Sequence, residues 1–119
     1  MYSAQALDHF QNPRNAGVLA DADATAEIEN PACGDVLRLS LKVSTDRITA
    51  ARFKAKGCVA AIACGSALTD LVVGKTLGEA RKLRREDVIA VVGSLPQGST
   101  HAAQLALDTL SAALSRIRQ

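Results

Sequence analysis

The hydrophobic pattern changes its period at Gly57-Cys58, and this change constrains the fold more than any other feature of the sequence. Between residues 37 and 43 every second residue is Leu or Val, with Arg, Ser and Lys between them, which predicts a strand with one buried face. Residues 48–56 alternate in the same way after a polar turn at 44–47, so the two segments are predicted to form an antiparallel hairpin. From residue 59 to Gly74 the apolar residues recur at helical spacing. A hairpin is therefore expected to run directly into a helix at Gly57-Cys58.

The remaining segments predict a small sheet followed by helices. Residues 3–11 predict a short helix, and residues 24–30 predict a first, edge strand that ends at Asn30-Pro31 because proline cannot donate to a ladder. Thr76 and Glu79 form a capping box for another short helix, and a further one is predicted at 88–92. The last helix follows residue 98, and its apolar stripe is expected to comprise Ala103, Leu107, Leu110, Leu114 and Ile117.

This order of elements predicts an α+β fold, because strands that precede helices form a sheet covered by a helical layer. The expected architecture is a two-layer sandwich in which a small antiparallel three-stranded sheet packs against the helices. No linker or internal repeat divides the sequence, so residues 1–119 are predicted to form one domain. At 119 residues the chain is long enough to bury about two-thirds of its unfolded surface without disulfides.

Composition excludes several classes of function. The net charge is +2, with neither long basic blocks nor interleaved aromatic residues, so no nucleic-acid binding is predicted. No apolar run approaches the roughly 20 residues that span a bilayer, so no membrane association and a cytoplasmic location are predicted. Three cysteines in a reducing compartment favour thiol chemistry, metal ligation or burial over disulfides.

Two charged features have ordinary structural explanations. Arg52, Lys54 and Lys56 make the outer face of the second hairpin strand basic, and this basic face is either solvated or a docking surface for an acidic partner. His9 has no partner at ligand spacing, so it is interpreted as a surface or packing histidine outside the site.

Cys58 is the centre of the expected site because it stands at the start of a helix, beside Lys56. Backbone N–H groups at a helix N-terminus, the positive end of the helix dipole and a neighbouring ammonium group all favour a thiolate over a thiol. Thiolates bind metals and accept sulfur, so these are the two activities that Cys58 predicts.

Three further residues are expected to join Cys58. Cys33 and Asp35 flank Gly34 in the loop between the first two strands, where a tight bend lets the thiol and the carboxylate face one point. An antiparallel hairpin returns the chain to the end where it began, so Cys58 is expected at the same edge of the sheet. His101, at the start of the last helix, would complete a set of four soft and borderline ligands. The alternative is that the cysteines are unrelated buried residues.

Motifs in a fixed order extend over nearly the whole chain. They are Tyr2, Leu7-Asp8-His9-Phe10, Asn12-Pro13-Arg14-Asn15-Ala16-Gly17, Pro31-Ala32-Cys33-Gly34-Asp35, Ala51-Arg52-Phe53-Lys54, Gly57-Cys58 and Ala61-Ile62-Ala63. Together they resemble the U-type iron-sulfur cluster assembly scaffolds, the IscU and NifU N-terminal family. The resemblance implies the same α+β sandwich of a small antiparallel sheet and helices.

In that family three cysteines and an aspartate hold a transient 2Fe-2S cluster or a zinc ion, which is built with sulfur from a cysteine desulfurase and passed to apo-proteins. The resemblance implies that this chain is an iron-sulfur cluster assembly scaffold or carrier and not an enzyme. Cys33, Asp35 and Cys58 match cluster positions, and His101 matches the histidine before the third cysteine. The implied partners are a cysteine desulfurase and apo iron-sulfur acceptor proteins. The implied assembly is a monomer or a homodimer bridged by a cluster.

The chain departs from the family where the third cysteine is expected, because Ala102 directly follows the histidine. Alanine offers no lone pair, so a cluster, an iron ion or a zinc ion must be held by the other four positions or by a ligand from elsewhere. Leu95-Pro96-Gln97-Gly98-Ser99 also differs from the Leu-Pro-Pro-Val-Lys segment of chaperone-assisted scaffolds. Glycine supplies no side chain for an extended-peptide mode of recognition, so the dedicated chaperone pair is not a predicted partner.

Cys64 is the other cysteine available to the site. In a regular helix, the six residues from Cys58 to Cys64 correspond to about 9 Å of rise and about 240° of rotation, so the two side chains diverge. Cys64 also shares a stripe with Leu68 and Leu71, which favours a buried structural cysteine. An irregular first turn after Cys58 would instead bring Cys64 into the site.

Two alternative functions remain open. One is a zinc protein of the same fold, in which Cys33, Asp35, Cys58 and His101 form a closed tetrahedral site that stabilises the domain or accepts sulfur by ligand exchange. The other is a metal-free divergent paralogue that docks on the desulfurase through the basic face and regulates it. The missing thiol at Ala102 is the feature that keeps this second alternative open.

Overall fold

The computed structural model describes residues 2–30, 34–96 and 99–117. Within these ranges the chain forms three strands and five helices. In chain order they are α1 (Ala4–Gln11), β1 (Ala24–Asn30), β2 (Asp35–Ser44), β3 (Arg47–Lys56), α2 (Val59–Val72), α3 (Leu77–Arg81), α4 (Arg85–Val92) and α5 (His101–Leu114). The predicted α+β fold is confirmed. None of these helices is both long and apolar enough to cross a membrane.

The sheet has the strand order β1-β2-β3, and both pairings are antiparallel, so β1 is an edge strand as predicted. The alternating leucines of β2 lie opposite apolar residues of β3: Leu37 pairs with Ala55, Leu39 with Phe53 and Leu41 with Ala51. This apolar face is covered by α2 and α5, which both contact the sheet and each other. The core therefore lies between one face of the sheet and a helical layer.

Helix α2 is the centre of the helical layer and carries small residues where it meets the sheet. It contacts α1, α4, α5 and the sheet, so most of its circumference is buried. A Cβ added to Gly65 would lie 2.7 Å from Phe53 Cδ2 and 3.0 Å from Leu37 Cδ1. Small aliphatic side chains at these positions let the helix approach the strands closely, and this explains a composition rich in alanine.

A buried polar network attaches the N-terminal segment to α2. His9 is 6% exposed, and its Nδ1 lies 2.7 Å from Ser66 Oγ. The backbone N–H of Arg14 donates to the same oxygen at 2.8 Å, and Thr69 Oγ1 donates to the Arg14 carbonyl at 3.2 Å. The interpretation of His9 as a packing histidine is confirmed.

The predicted buried stripe of α5 is partly wrong. Leu107 is only half-buried, and Ile117 lies beyond the end of the helix at Leu114. The residues that α5 buries are Ala102, Ala103, Leu105, Ala106, Thr109, Leu110, Ala113 and Leu114. The face that is rich in small residues packs inward because it allows a closer approach to the sheet and to α2. The positions of the large apolar residues in the sequence were therefore not enough to identify this face.

Replacing a helical glycine with alanine usually stabilises a helix, but the close contact of Gly65 with the sheet predicts the opposite effect on the stability of the protein. Gly65→Ala should destabilise the protein by about 1–3 kcal/mol, because overpacking outweighs the better helix propensity of alanine. Gly78→Ala is the matched control, since Gly78 is also helical and an added Cβ meets nothing within 4 Å. The control should be neutral or stabilising by up to about 1 kcal/mol. Urea unfolding measures both changes, and equal stability of the two variants would contradict the packing described.

Candidate functional site

The sheet register brings two of the predicted ligands together. Val36 pairs with Lys56 at one end of the sheet, so Asp35, the first residue of β2, lies beside the point where the chain leaves β3. Cys58 follows two residues after Lys56 and is the N-cap of α2. His101 is the first residue of α5, which packs across β1 and β2 and begins at the same end. The predicted return of the hairpin to this edge is confirmed for Asp35 and Cys58.

The Asp35 carboxylate is the hub of the site. Its Oδ1 accepts a hydrogen bond of 3.1 Å from the backbone N–H of Cys58. Its Oδ2 accepts one of 3.3 Å from Cys58 Sγ and lies 3.3 Å from His101 Nε2. Asp35 is 2% exposed, whereas Cys58 and His101 are half-buried. A buried carboxylate is therefore held between two groups that reach the surface.

These three residues form a potential metal site. One ligand atom from each of Asp35, Cys58 and His101 lies within 4.8 Å of the other two. In the part of the chain that the structure describes, this is the one group of three or more His, Cys, Asp or Glu side chains with such spacing. The fourth predicted ligand, Cys33, lies outside the described residues.

The protonation of the site differs from the expectation for Cys58. Burial raises the pKa of the Cys58 thiol, and the adjacent Asp35 carboxylate raises it further, while the backbone N–H groups of Ala60 and Ala61 oppose this. The expected preference for a thiolate is therefore wrong for this arrangement, because burial and a neighbouring anion outweigh the helix N-terminus. Burial also disfavours the charged form of Asp35, but hydrogen bonds from Cys58 and His101 hold the pKa of its carboxyl below the usual value.

Cys64 does not join the group. It is 0% exposed within the apolar core, and burial raises the pKa of its thiol to about 12. Helix α2 runs from Val59 without a break, so the irregular first turn that would have redirected Cys64 is not present. Cys64 is thus a buried structural cysteine, as the helical geometry predicted. Ala102 is 1% exposed, and its methyl group belongs to the same core cluster.

The outer face of the sheet is more mixed in charge than the pattern of β3 alone predicts. Arg52, Lys54 and Lys56 are exposed, as predicted. The register places Glu27 of β1 opposite Arg38 of β2, which in turn lies opposite Lys54. Acidic side chains of β1 therefore share this face with the basic ones, and its use for docking stays a prediction.

Two features of the site were not predicted from the sequence. One is the backbone N–H of Cys58 as a partner of Asp35, and the other is the closeness of Gly57 to the same carboxylate. The hydrogen bond from the Cys58 backbone could not be predicted because a backbone donor has no sequence signature. The closeness of Gly57 to Asp35 could not be predicted because it depends on the strand register. The available signal was a glycine immediately before a helix N-cap, which is typical of a close backbone approach.

The chain is similar to known proteins in both sequence and structure. The family model described as NifU-like N terminal domain matches residues 1–119. The iron-sulfur cluster assembly scaffold protein IscU 1 of Archaeoglobus fulgidus is 44% identical over 114 residues, covering 96% of this chain and 74% of that protein. The scaffold protein IscU of Aquifex aeolicus is 44% identical over 115 residues, covering 95% and 73% of the two chains. The crystal structure of a nitrogen-fixing NifU-like protein (N-terminal) from Brucella abortus matches with a TM-score of 0.80 and 20% identity, covering 97% of this chain and 92% of that chain. At that identity the structural match shows the shared fold.

The different environments of Cys58 and Cys64 predict different thiol reactivity. Iodoacetamide should modify Cys58 in the native protein at least about 100-fold faster than Cys64, because Cys64 reacts only after the core opens. Timed labelling followed by peptide mass spectrometry measures both rates in one sample. In urea the two rates should become similar. Comparable native rates would contradict the burial of Cys64.

Proposed function

The chain belongs to the NifU-like N-terminal domain family, and on this premise we propose that it is an iron-sulfur cluster assembly scaffold or carrier. The observation that carries the proposal is the convergence of Asp35 Oδ2, Cys58 Sγ and His101 Nε2 at one end of the sheet. A thiol, an imidazole and a carboxylate at these distances form a donor set suited to iron or zinc. Relatives of 44% identity are named as scaffold proteins of this kind.

In this proposal the cluster is cargo, and each residue has a separate role. Cys58 and Cys33 supply thiolates that ligate the cluster or accept sulfur, and His101 supplies a nitrogen ligand. Histidine in place of cysteine is tolerated on one iron of a 2Fe-2S cluster. Asp35 supplies an oxygen ligand, which weakens the hold on the cluster and eases its release. The thiol proton of Cys58 must leave before it can ligate, since the thiolate is the ligand.

The proposed partners follow from this role. A cysteine desulfurase would supply the sulfur, and apo iron-sulfur proteins would receive the cluster. The chain would perform no chemical turnover of its own. The cytoplasmic location and the choice between a monomer and a cluster-bridged homodimer stay predictions. Gln97 and Gly98, on which the argument against the chaperone pair depends, lie outside the described residues.

A zinc protein of the same fold is the second candidate. The observation that favours it is that the three ligand atoms lie close enough for a single ion, all within 4.8 Å of one another. With Cys33 they would give the four ligands of a closed tetrahedral zinc site. A metal-free protein that regulates the desulfurase is the third outcome that the following experiment distinguishes.

Anaerobic reconstitution tests the proposal. The protein is purified without oxygen, its bound zinc and iron are determined, and it is then incubated with desulfurase, cysteine and ferrous iron while visible absorption is recorded. We expect the absorption of a 2Fe-2S cluster in the wild type and in Cys64→Ala and His9→Gln. Cys58→Ala and His101→Gln should each lose most of it, because they remove ligands.

Cys64→Ala and His9→Gln are the controls. Each removes a cysteine or a histidine that lies outside the site, so a loss of cluster confined to Cys58→Ala and His101→Gln is specific to the site. Stoichiometric zinc that blocks cluster formation would favour the zinc protein, and neither metal would favour the metal-free regulator. Equal loss of cluster in Cys58→Ala and Cys64→Ala would contradict the assignment of the site.

A further inference from the structure

Gly57 stands between the last residue of β3 and the N-cap of α2, with a φ of +141°. A Cβ built at this position would lie 2.0 Å from Asp35 Oδ1, 2.7 Å from Asp35 Cγ and 3.1 Å from Asp35 Cα. Real Cβ atoms essentially never come within 3.0 Å of a neighbouring heavy atom, so an added side chain requires something to shift. The nearest atoms are those of the carboxylate itself.

The carboxylate cannot shift without losing the contacts that build the site. Asp35 is 2% exposed, so it has little free space around it. Its Oδ1 is held by the backbone N–H of Cys58, and this bond leaves Oδ2 facing Cys58 Sγ and His101 Nε2. A displaced carboxylate would lose the first bond and move Oδ2 away from the other two ligand atoms.

We propose that Gly57 is a positioning residue of the metal site, which lets Asp35 dock on the Cys58 amide and hold Oδ2 beside Cys58 Sγ and His101 Nε2. This inference rests on the proposed function, because it assumes that Asp35, Cys58 and His101 hold iron or zinc. It goes beyond that function by assigning a role to a residue with no ligand atom.

Gly17 provides a matched control for backbone strain. Its φ is +127°, close to that of Gly57, so alanine is strained at both positions. An added Cβ at Gly17 meets nothing within 4 Å, whereas at Gly57 it meets the carboxylate. Substitution of alanine at Gly17 therefore tests the strain alone, and substitution at Gly57 tests the strain together with the clash.

The experiment measures Co²⁺ binding to the full chain by absorption spectroscopy in the wild type, Gly57→Ala, Gly17→Ala, Asp35→Ala and the Asp35→Ala/Gly57→Ala double variant. Co²⁺ is a spectroscopic substitute for zinc whose visible bands report ligand number and type. We expect Gly57→Ala to weaken binding by about 10- to 100-fold and to change the bands toward those of Asp35→Ala. Gly17→Ala should bind within about twofold of the wild type. In the Asp35→Ala background the further effect of Gly57→Ala should also be within about twofold, since no carboxylate remains to be displaced.

The outcomes distinguish failure of the proposed metal site from failure of the role assigned to Gly57. If the wild type binds no Co²⁺, the proposed metal site fails and the inference fails with it. If the wild type binds Co²⁺ with the affinity and bands of Asp35→Ala, Asp35 is not a ligand, and the inference fails while metal binding through the other ligands stands. If the wild type binds Co²⁺ through Asp35 and Gly57→Ala does the same, the inference alone is overturned. Equal weakening by Gly57→Ala in both backgrounds would also overturn it, because Gly57 would then not act through Asp35. If Gly57→Ala does not fold, the Asp35→Ala background should restore the fold measured by circular dichroism. Failure to restore it, while Gly17→Ala folds, would contradict the clash.

Discussion

The contact between the Asp35 carboxylate and the Cys58 backbone is the interaction on which the site depends. It joins the start of β2 to the start of α2, two places that are 23 positions apart in the chain. The same carboxylate holds the Cys58 thiol and lies beside His101, so all three groups are oriented through one side chain. A buried carboxylate in this setting is stable because hydrogen bonds compensate for its desolvation.

The packing of α2 sets the geometry in which this contact forms. Gly65 lets the helix lie against Phe53 and Leu37, and this fixes the position of the helix N-terminus relative to the sheet edge. The same close packing explains why Cys64 is excluded from the site although it is only six positions from Cys58. One helix therefore carries an accessible thiol at its end and a buried one in its middle.

Much of the fold could be predicted because local patterns agree with tertiary packing. Alternation at 37–43 and 48–56 identified the hairpin, and the capping box of Thr76 and Glu79 identified a short helix that the structure contains. The stripe of α5 was predicted only in part: Leu110 and Leu114 are buried as expected, but the buried face also includes alanines, which carry a weaker signal in the sequence than leucines do. The closeness of Asp35 and Cys58 was predictable from chain return in a hairpin, and His101 was predicted as a ligand that completes the set, but the protonation of Cys58 was not predictable. It depends on the balance between burial, a neighbouring anion and the backbone donors, and that balance requires the distances.

The central claim is that Asp35, Cys58 and His101 bind one metal together. X-ray absorption at the zinc edge, on the protein loaded with one equivalent of Zn²⁺, measures the ligand shell directly. The account predicts a mixed shell, with sulfur at about 2.3 Å and nitrogen or oxygen at about 2.0–2.1 Å. A shell of nitrogen and oxygen without sulfur, or of sulfur alone, would contradict it.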